Sequence, residues 1–301
     1  MDAAFLAGER ALLACLELGT HEVWRALHQE ADTLGAFLAW VRSRRGGGTL
    51  EEGLQRFGGW LRDGGFPAAD LAPGGRLGPE ERAAWHRDGY LRVPAAVPGA
   101  LCDALVEEVS RHLALDPGDP ETWYRPHPDW QGLMVQRCHG PALEALRHHP
   151  ALRAVFADLH GTDRLLPACE KVSVNPPETA RWRFRGSPLH WDVDPDHPVD
   201  LARDPSHVRP YAIQGLVYLV DVPPDLGPLV LVPGFHHGFT AYVAAAGGLG
   251  PAHEAVRRDT DPIAVPGGKG DLVAWHQALP HAASPNRGER PRFAAYVSFC
   301  M

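Results

Sequence analysis

AIQGLVYLVDV, residues 212–222, followed by PLVLVPG, residues 228–234, decides the architecture. Both runs are apolar, rich in Val and Leu, and too short for globular helices. They are parted by Pro, Asp and Gly, which read as a turn. The same texture continues on either side. KVSVN (171–175), PLHWDVD (188–194), PIAV (262–265), DLVAWHQAL (271–279) and FAAYVSF (293–299) are all short apolar runs between turn residues. No helix-length pattern alternates with them, so a doubly wound parallel sheet is disfavoured. An antiparallel sandwich or barrel is expected instead. The 29 prolines and 32 glycines fit such a loop-rich β architecture.

The N-terminal third has a different pattern. Val23, Leu27, Leu34, Phe37, Leu38 and Val41 recur at helical steps and predict one helix over 21–44 with a buried face. RRGGGT (44–49) breaks it. Thr49, with Glu52 three residues on, predicts a capped start for the next helix, which ends by 63–67. The loop AADLAPGGRLG (68–78) is the candidate boundary between an N-terminal helical segment, 1–75, and a main domain, 76–301. PEERAAWHRDGYLRV (79–93) predicts a short helix running into a strand. PGALCDALVEEVSRHLAL (98–115) predicts an amphipathic helix, and PALEALRHHPALRAVFADLHG (141–161) two helical pieces broken at Pro150. The sequence has no internal repeat.

Bulk properties narrow the function classes. A chain of 301 residues, 45% hydrophobic and 22% charged, can bury a sizeable core. A net charge of −8 lacks the basic footprint that nucleic acid requires. No run approaches a transmembrane length, and Asp2, Glu9 and Arg10 argue against a signal peptide. Neither nucleic acid nor membrane is an expected partner. The five cysteines are scattered and never form a C-x-x-C pair, which predicts a reducing, cytoplasmic setting.

The chemistry centres on His190-Trp191-Asp192. In a strand, His190 and Asp192 share a face and Trp191 points the other way. An imidazole and a carboxylate so placed are two legs of a 2-His-1-carboxylate iron site. The third ligand must come from a distant strand. His281, in DLVAWHQALPHAASPNRGERPRF (271–293), is the best candidate, with His276 as its competitor. Eleven residues beyond His281, Arg292 opens the last strand. It could grip a carboxylate bidentately, with Ser284 as a nearby hydroxyl donor and Arg290 as the competing guanidinium. A metal site followed by an anion clamp suits a chelating dicarboxylate such as 2-oxoglutarate. The chain has no H-E-x-x-H, G-x-S-x-G or P-loop motif.

LHWDVD, GPLVLVPGFHHG, GDLVAWHQALPHAASPNRGERPR and the entry LGPEERAAWHRDGYLRVPAAVPGALCDALVEEV together resemble the phytanoyl-CoA dioxygenase family over about residues 77–300. The resemblance implies a double-stranded β-helix, or jelly roll. It also implies an oxygenase dependent on Fe(II), 2-oxoglutarate and O2, which oxidises a small molecule and releases succinate and CO2. It assigns His190, Asp192 and His281 to iron and Arg292 to the co-substrate carboxylate. A carboxylate at Asp192 implies hydroxylation or a related oxidation, because relatives that transfer halogen carry a small residue there. The first 70-odd residues have no counterpart in the resemblance. A protein partner bound through 1–75 is one reading of them, and docking on the barrel another.

Other residues remain ambivalent. Gln214 and Tyr218 share a face of an apolar strand, where Gln214 could touch the co-substrate and Tyr218 the substrate; a core hydrogen-bonded pair is the bland alternative. Lys171, Asn175 and Trp182 are candidate substrate contacts with the same ambiguity. His236 and His237 could rim a pocket or be exposed. Asp194 and Asp196 lack the Gly and Glu of a calcium loop. The competing functions are a cupin-like metal or small-molecule binding protein and a zinc-type enzyme using the same triad. Arg292 discriminates, since neither needs a carboxylate clamp.

Overall fold

The computed structural model describes residues 3–45, 47–68, 75–192 and 213–301. The strands among them are β1 Tyr90–Val93, β2 Trp130–Gln131, β3 Met134–Val135, β4 Leu166–Pro167, β5 Val172–Asn175, β6 Ile213–Tyr218, β7 Leu229–Leu231, β8 Ile263–Val265, β9 Leu272–His276, β10 His281–Ala283 and β11 Arg292–Cys300. The helices are α1 Ala3–Cys15, α2 Thr20–Arg25, α3 Leu34–Arg45, α4 Gly47–Asp63, α5 Pro79–Asp88, α6 Gly99–Leu113, α7 Pro141–Arg147, α8 Pro150–His160, α9 Phe239–Ala245 and α10 Leu249–Asp259.

A large antiparallel sheet runs β1-β9-β6-β11-β5-β3-β2, with β4 paired to one end of β11. A smaller antiparallel sheet runs β10-β7-β8. Strand alternation gives the large sheet two distinct faces. Ile213, Val217, Leu272, Ala274, Phe293, Ala295, Val297 and Phe299 pack on α6, α7 and α8. Those helices offer Cys102, Leu105 and Val109, then Leu143 and Leu146, then Leu152, Val155 and Phe156, at steps of three and four. On the other face Leu216, Tyr218, Val273, Trp275 and Ala294 meet Leu229, Leu231 and Val265 of the smaller sheet.

The first helix of the main region shows how local sequence sets the chain's direction. Gly78 N–H donates to Glu81 Oε2 at 2.7 Å, and Pro79 occupies the first turn. Gly89 ends the helix at φ 74° and turns the chain into β1. A Cβ at Gly89 would lie 2.5 Å from His236 Nδ1, so the position needs glycine for space as well as conformation.

Several expectations are corrected. The helix over 21–44 is two helices, α2 and α3, with a π turn at Ala26–Glu30 between them. The wider turn shifts the helical phase, and Leu27 and Leu34 face solvent at 50% and 73% exposure instead of joining the buried face. Thr49 does not start its helix, because α4 begins at Gly47. PLHWDVD forms no strand among its described residues: His190 makes one bridge, to His281. β10 and the two helices α9 and α10 were not anticipated. The signal for α10 was Leu249, Ala252 and Val256, which are buried at helical spacing.

The N-terminal helices dock on the rest of the chain. Ala11, Ala14 and Cys15 pack with Ala168 and Cys300, and Trp60 Nε1 donates to the Met301 carbonyl at 3.1 Å. Most of the candidate boundary, residues 69–74, lies outside the described residues, as do Asp194 and Asp196. Among the described residues, no helix is long and apolar enough to cross a membrane.

Candidate active site

The bridge between His190 and His281 builds the site. Each N–H donates to the other's carbonyl, at 3.0 and 2.9 Å, which places the two rings 4.8 Å apart. Trp191, between His190 and Asp192, anchors the segment from behind. Its backbone N–H donates to His253 Nε2 at 3.2 Å and its Nε1–H to the Ala278 carbonyl at 2.9 Å. Phe235 and Phe239 pack on its ring. The loop is therefore held by one bridge and by an aromatic cluster from the α9–α10 region rather than by a strand of its own.

Both imidazoles are oriented alike. His190 Nδ1 lies 2.8 Å from the Pro188 carbonyl and His281 Nδ1 lies 3.1 Å from the Leu279 carbonyl. With each Nδ1 turned to a backbone carbonyl, each Nε2 is the ring atom presented to the site. Both Nε2 atoms face Asp192, at 3.4 Å from Oδ1 and 3.3 Å from Oδ2. Donor atoms of the three residues all lie within 4.8 Å of one another. Gln214 Nε2 donates to Asp192 Oδ2 at 2.7 Å, and Gln214 Oε1 accepts from Trp275 Nε1 at 3.0 Å, so the carboxylate is itself held. Burial pushes the Asp192 carboxyl up, but hydrogen bonds and charge from His190 and His281 overcome it and hold the group well below the carboxylate range. Burial lowers the His190 pKa, but the hydrogen bond and charge of Asp192 outweigh it, and the net shift is upward.

A cavity of about 600 Å³ joins this triad to Arg292. Arg292 is 1% exposed. One Nη donates to Ser173 Oγ at 3.2 Å, Nε has no partner, and no carboxylate pairs with the guanidinium among the described residues. A buried cation without a counter-charge is costly unless a ligand supplies one. Tyr296, two strand steps from Arg292 on the same face, lines the cavity as well.

Of the remaining sequence candidates, Gln214 and Lys171 line the cavity. The others are engaged elsewhere. Ser284 Oγ donates to the Pro228 carbonyl at 2.7 Å, and Asn175 Nδ2 donates to the Ser284 carbonyl at 3.0 Å. Tyr218 is fully buried, with its hydroxyl between Val265 O and Leu229 N. Trp182 packs with Tyr124 at 5.9 Å. None of these four lines the cavity. His276 lies against Trp85 and His236, away from Asp192, and Arg290 is an exposed turn residue. His236 and His237 face the His86 and Arg87 carbonyls. Ser173 and Tyr296 were missed. Their signal was period two, from Lys171 to Ser173 and from Arg292 to Tyr296.

A family model, Phytanoyl-CoA dioxygenase (PhyH), matches residues 85–294. Among solved structures, the chain is similar to the non-heme alpha ketoglutarate dependent carbocyclase SnoK from nogalamycin biosynthesis. Identity is 21% over 77% of this chain and 87% of that one, with a TM-score of 0.54. The epimerase SnoN from the same biosynthesis matches at 20% identity over 73% of this chain and 80% of its own, TM-score 0.52. HygX from Streptomyces hygroscopicus, solved with nickel and 2-oxoglutarate bound, matches at 19% identity over 74% and 87%, TM-score 0.52. At these identities the likeness is one of fold.

Proposed function

Because the chain belongs to the phytanoyl-CoA dioxygenase family, we propose that it is an Fe(II)- and 2-oxoglutarate-dependent oxygenase that hydroxylates a small molecule. The observation that carries this reading is one cavity holding both three convergent donors and a buried guanidinium that has no acid partner among the described residues. Two imidazoles and a carboxylate suit iron with open positions. An unpaired arginine suits a dicarboxylate's far end. The iron and α-ketoglutarate in a solved SnoN complex, and the 2-oxoglutarate in HygX, support the same cofactors on this fold. We read the two sheets as a jelly roll over residues 76–301, and the protein as cytoplasmic on its cysteine usage.

Bound iron would supply the chemistry by which 2-oxoglutarate and O2 yield succinate, CO2 and an oxidised C–H bond. The chain's own residues bind and orient. His190, Asp192 and His281 would hold the metal, and the carbonyls of Pro188 and Leu279 keep the two imidazoles presenting Nε2. Gln214, fixed by Trp275, aims the Asp192 carboxylate. Arg292, steadied by Ser173, would hold the distal carboxylate. None of these residues needs to move a proton. Hydroxylation is the simplest outcome for a site with Asp192 in place; SnoN and SnoK are named for epimerisation and carbocyclisation.

The test is anaerobic addition of Fe(II) and 2-oxoglutarate to metal-free protein. A weak visible charge-transfer band is expected. Arg292→Met should keep the metal and weaken 2-oxoglutarate by at least about 30-fold, the lower end for removing one partner of a buried charge pair. Metal binding without a band in the wild type would overturn the oxygenase reading.

A further inference from the structure

The N-terminal helices lie outside the matched residues 85–294, yet they form one wall of the cavity. Leu13 of α1 and Thr20 and His21 of α2 line it together with the triad and Arg292. The wall is fastened in place. A Cβ on Gly19 would lie 2.6 Å from Cys138 Sγ, so the backbone there touches the main region directly. Glu22 accepts from Gly19 N–H and from His139 Nε2, each at 2.7 Å.

Beside this wall stands Lys171. The chain has 29 lysines and arginines, and only Lys171 and Lys269 are lysine. Lys269 pairs with both oxygens of Asp103, at 2.9 and 3.1 Å. Lys171 is half-buried and lines the cavity, and among the described residues no carboxylate pairs with it. It lies one residue before β5, in step with Ser173, the partner of Arg292. Besides Asp192, two acids line the cavity. Glu170 accepts from Ser298 Oγ at 2.7 Å, Glu9 is exposed on α1, and neither pairs with Lys171. Burial lowers the His21 imidazole pKa, and the charges of Lys171 and Arg25 lower it further, so Lys171 acts on the N-terminal wall.

Resting on the reading of this cavity as an oxygenase site, we propose that the N-terminal helices are part of the substrate site and that the substrate's anionic group, a carboxylate or a phosphate, is held by Lys171 and His21. Arg292 already serves the co-substrate. A cavity of about 600 Å³ is drug-sized and leaves room for a second ligand beside a five-carbon diacid. A half-dehydrated ammonium with no carboxylate partner among the described residues is stabilised when an anion arrives. In a chain that otherwise uses arginine, a compact point charge with three rotatable donors suits an oxygen whose position varies during binding.

The scarcity of lysine makes the test clean. Reductive ¹³C-methylation labels Lys171, Lys269 and the α-amino group, and Lys171→Met assigns the Lys171 signal. Metal-free protein is titrated with inorganic phosphate and with acetate, alone and again with Zn(II) and 2-oxoglutarate present. The Lys171 signal should move saturably while the Lys269 signal stays, and the anion that binds better names the group. His21→Ala should weaken that binding about threefold to tenfold, as expected for one hydrogen bond to a charged ligand. Equal shifts at both lysines would mean an adventitious ion only, and no shift at either would mean no anion site. Displacement of the probe by 2-oxoglutarate would put Lys171 in the co-substrate site. No effect of His21→Ala would remove the N-terminal wall from it. Any of these overturns the proposal. Absence of the Fe(II)–2-oxoglutarate band in wild type overturns the oxygenase reading instead, and the lysine titration without metal still reports the anion site.

Discussion

The large sheet has two faces made by the same strands, and they have little in common. On β11, Phe293, Ala295, Val297 and Phe299 enter the helix-covered core. The interleaved Arg292, Tyr296 and Ser298 line the cavity. On β6, Ile213 and Val217 are core, while Gln214 holds Asp192. On β9, Leu272 and Ala274 are core, and Trp275 steadies Gln214. A shift of one residue separates packing from chemistry. The helix-covered face provides burial energy, and the cavity face carries a buried cation that has no acid partner among the described residues and opposes folding. One side of the backbone is therefore given over to packing, while the other shares its packing on the smaller sheet with the chemistry of the site.

The largest expected effect breaks the apolar side alone. Phe299 is 2% exposed, with its ring 4.8 Å from that of Phe156. Phe299→Ala should cost about 3–5 kcal/mol, the range for emptying an aromatic site in a packed core. Urea unfolding measures it. In the fraction that stays folded, 2-oxoglutarate affinity should be unchanged. A parallel loss of affinity in folded protein would show that the faces are not separable.

The next effect breaks the cavity side. Gln214→Leu removes the donor to Asp192 Oδ2 and the acceptor for Trp275 Nε1. Metal affinity should fall about 10- to 100-fold, as for other groups that orient a ligand. The stability loss should be smaller than for Phe299→Ala, about 1–3 kcal/mol for the stranded indole N–H. Metal titration followed by urea unfolding separates the two. An unchanged metal affinity would mean the carboxylate needs no help from β6.

The two-faced logic was largely legible in the sequence, because alternation depends only on neighbours along the chain. It put Gln214 and Tyr218 on one face of their strand, without deciding between pocket and core, and His190 and Asp192 on one side of Trp191. What it could not show was how segments far apart meet. His190 is placed by a single bridge to His281 and by Trp191 lodged among Phe235 and Phe239, not by a strand of its own. Arg292 leans on Ser173, 119 residues away, and not on Ser284, whose hydroxyl is spent on the Pro228 carbonyl. The docking of α2 beside the cavity depends on Gly19 meeting Cys138 and Glu22 meeting His139, contacts with no periodic trace. The π turn after α2 likewise broke a pattern that looked continuous.

Tyr218 sharpens the comparison, since it has the parity of the cavity face without a place in the cavity. Its hydroxyl donates to Val265 O at 2.8 Å and accepts from Leu229 N–H at 2.9 Å, joining β6 to the smaller sheet. Tyr218→Phe strands a buried carbonyl and a buried N–H, and should cost about 1–3 kcal/mol. The Fe(II)–2-oxoglutarate band should be unaltered; a shifted band would give the phenol a role toward the ligands. Alkali offers a second readout. Burial pushes the phenol from 10.0 up to about 12. Between those values the unfolded chain has lost a proton that the folded chain keeps, so this tyrosine's contribution falls as pH rises. The stability gap between wild type and Tyr218→Phe should therefore be full below pH 10 and narrow toward pH 12. A gap that stayed constant would mean that the hydroxyl is not locked between the sheets.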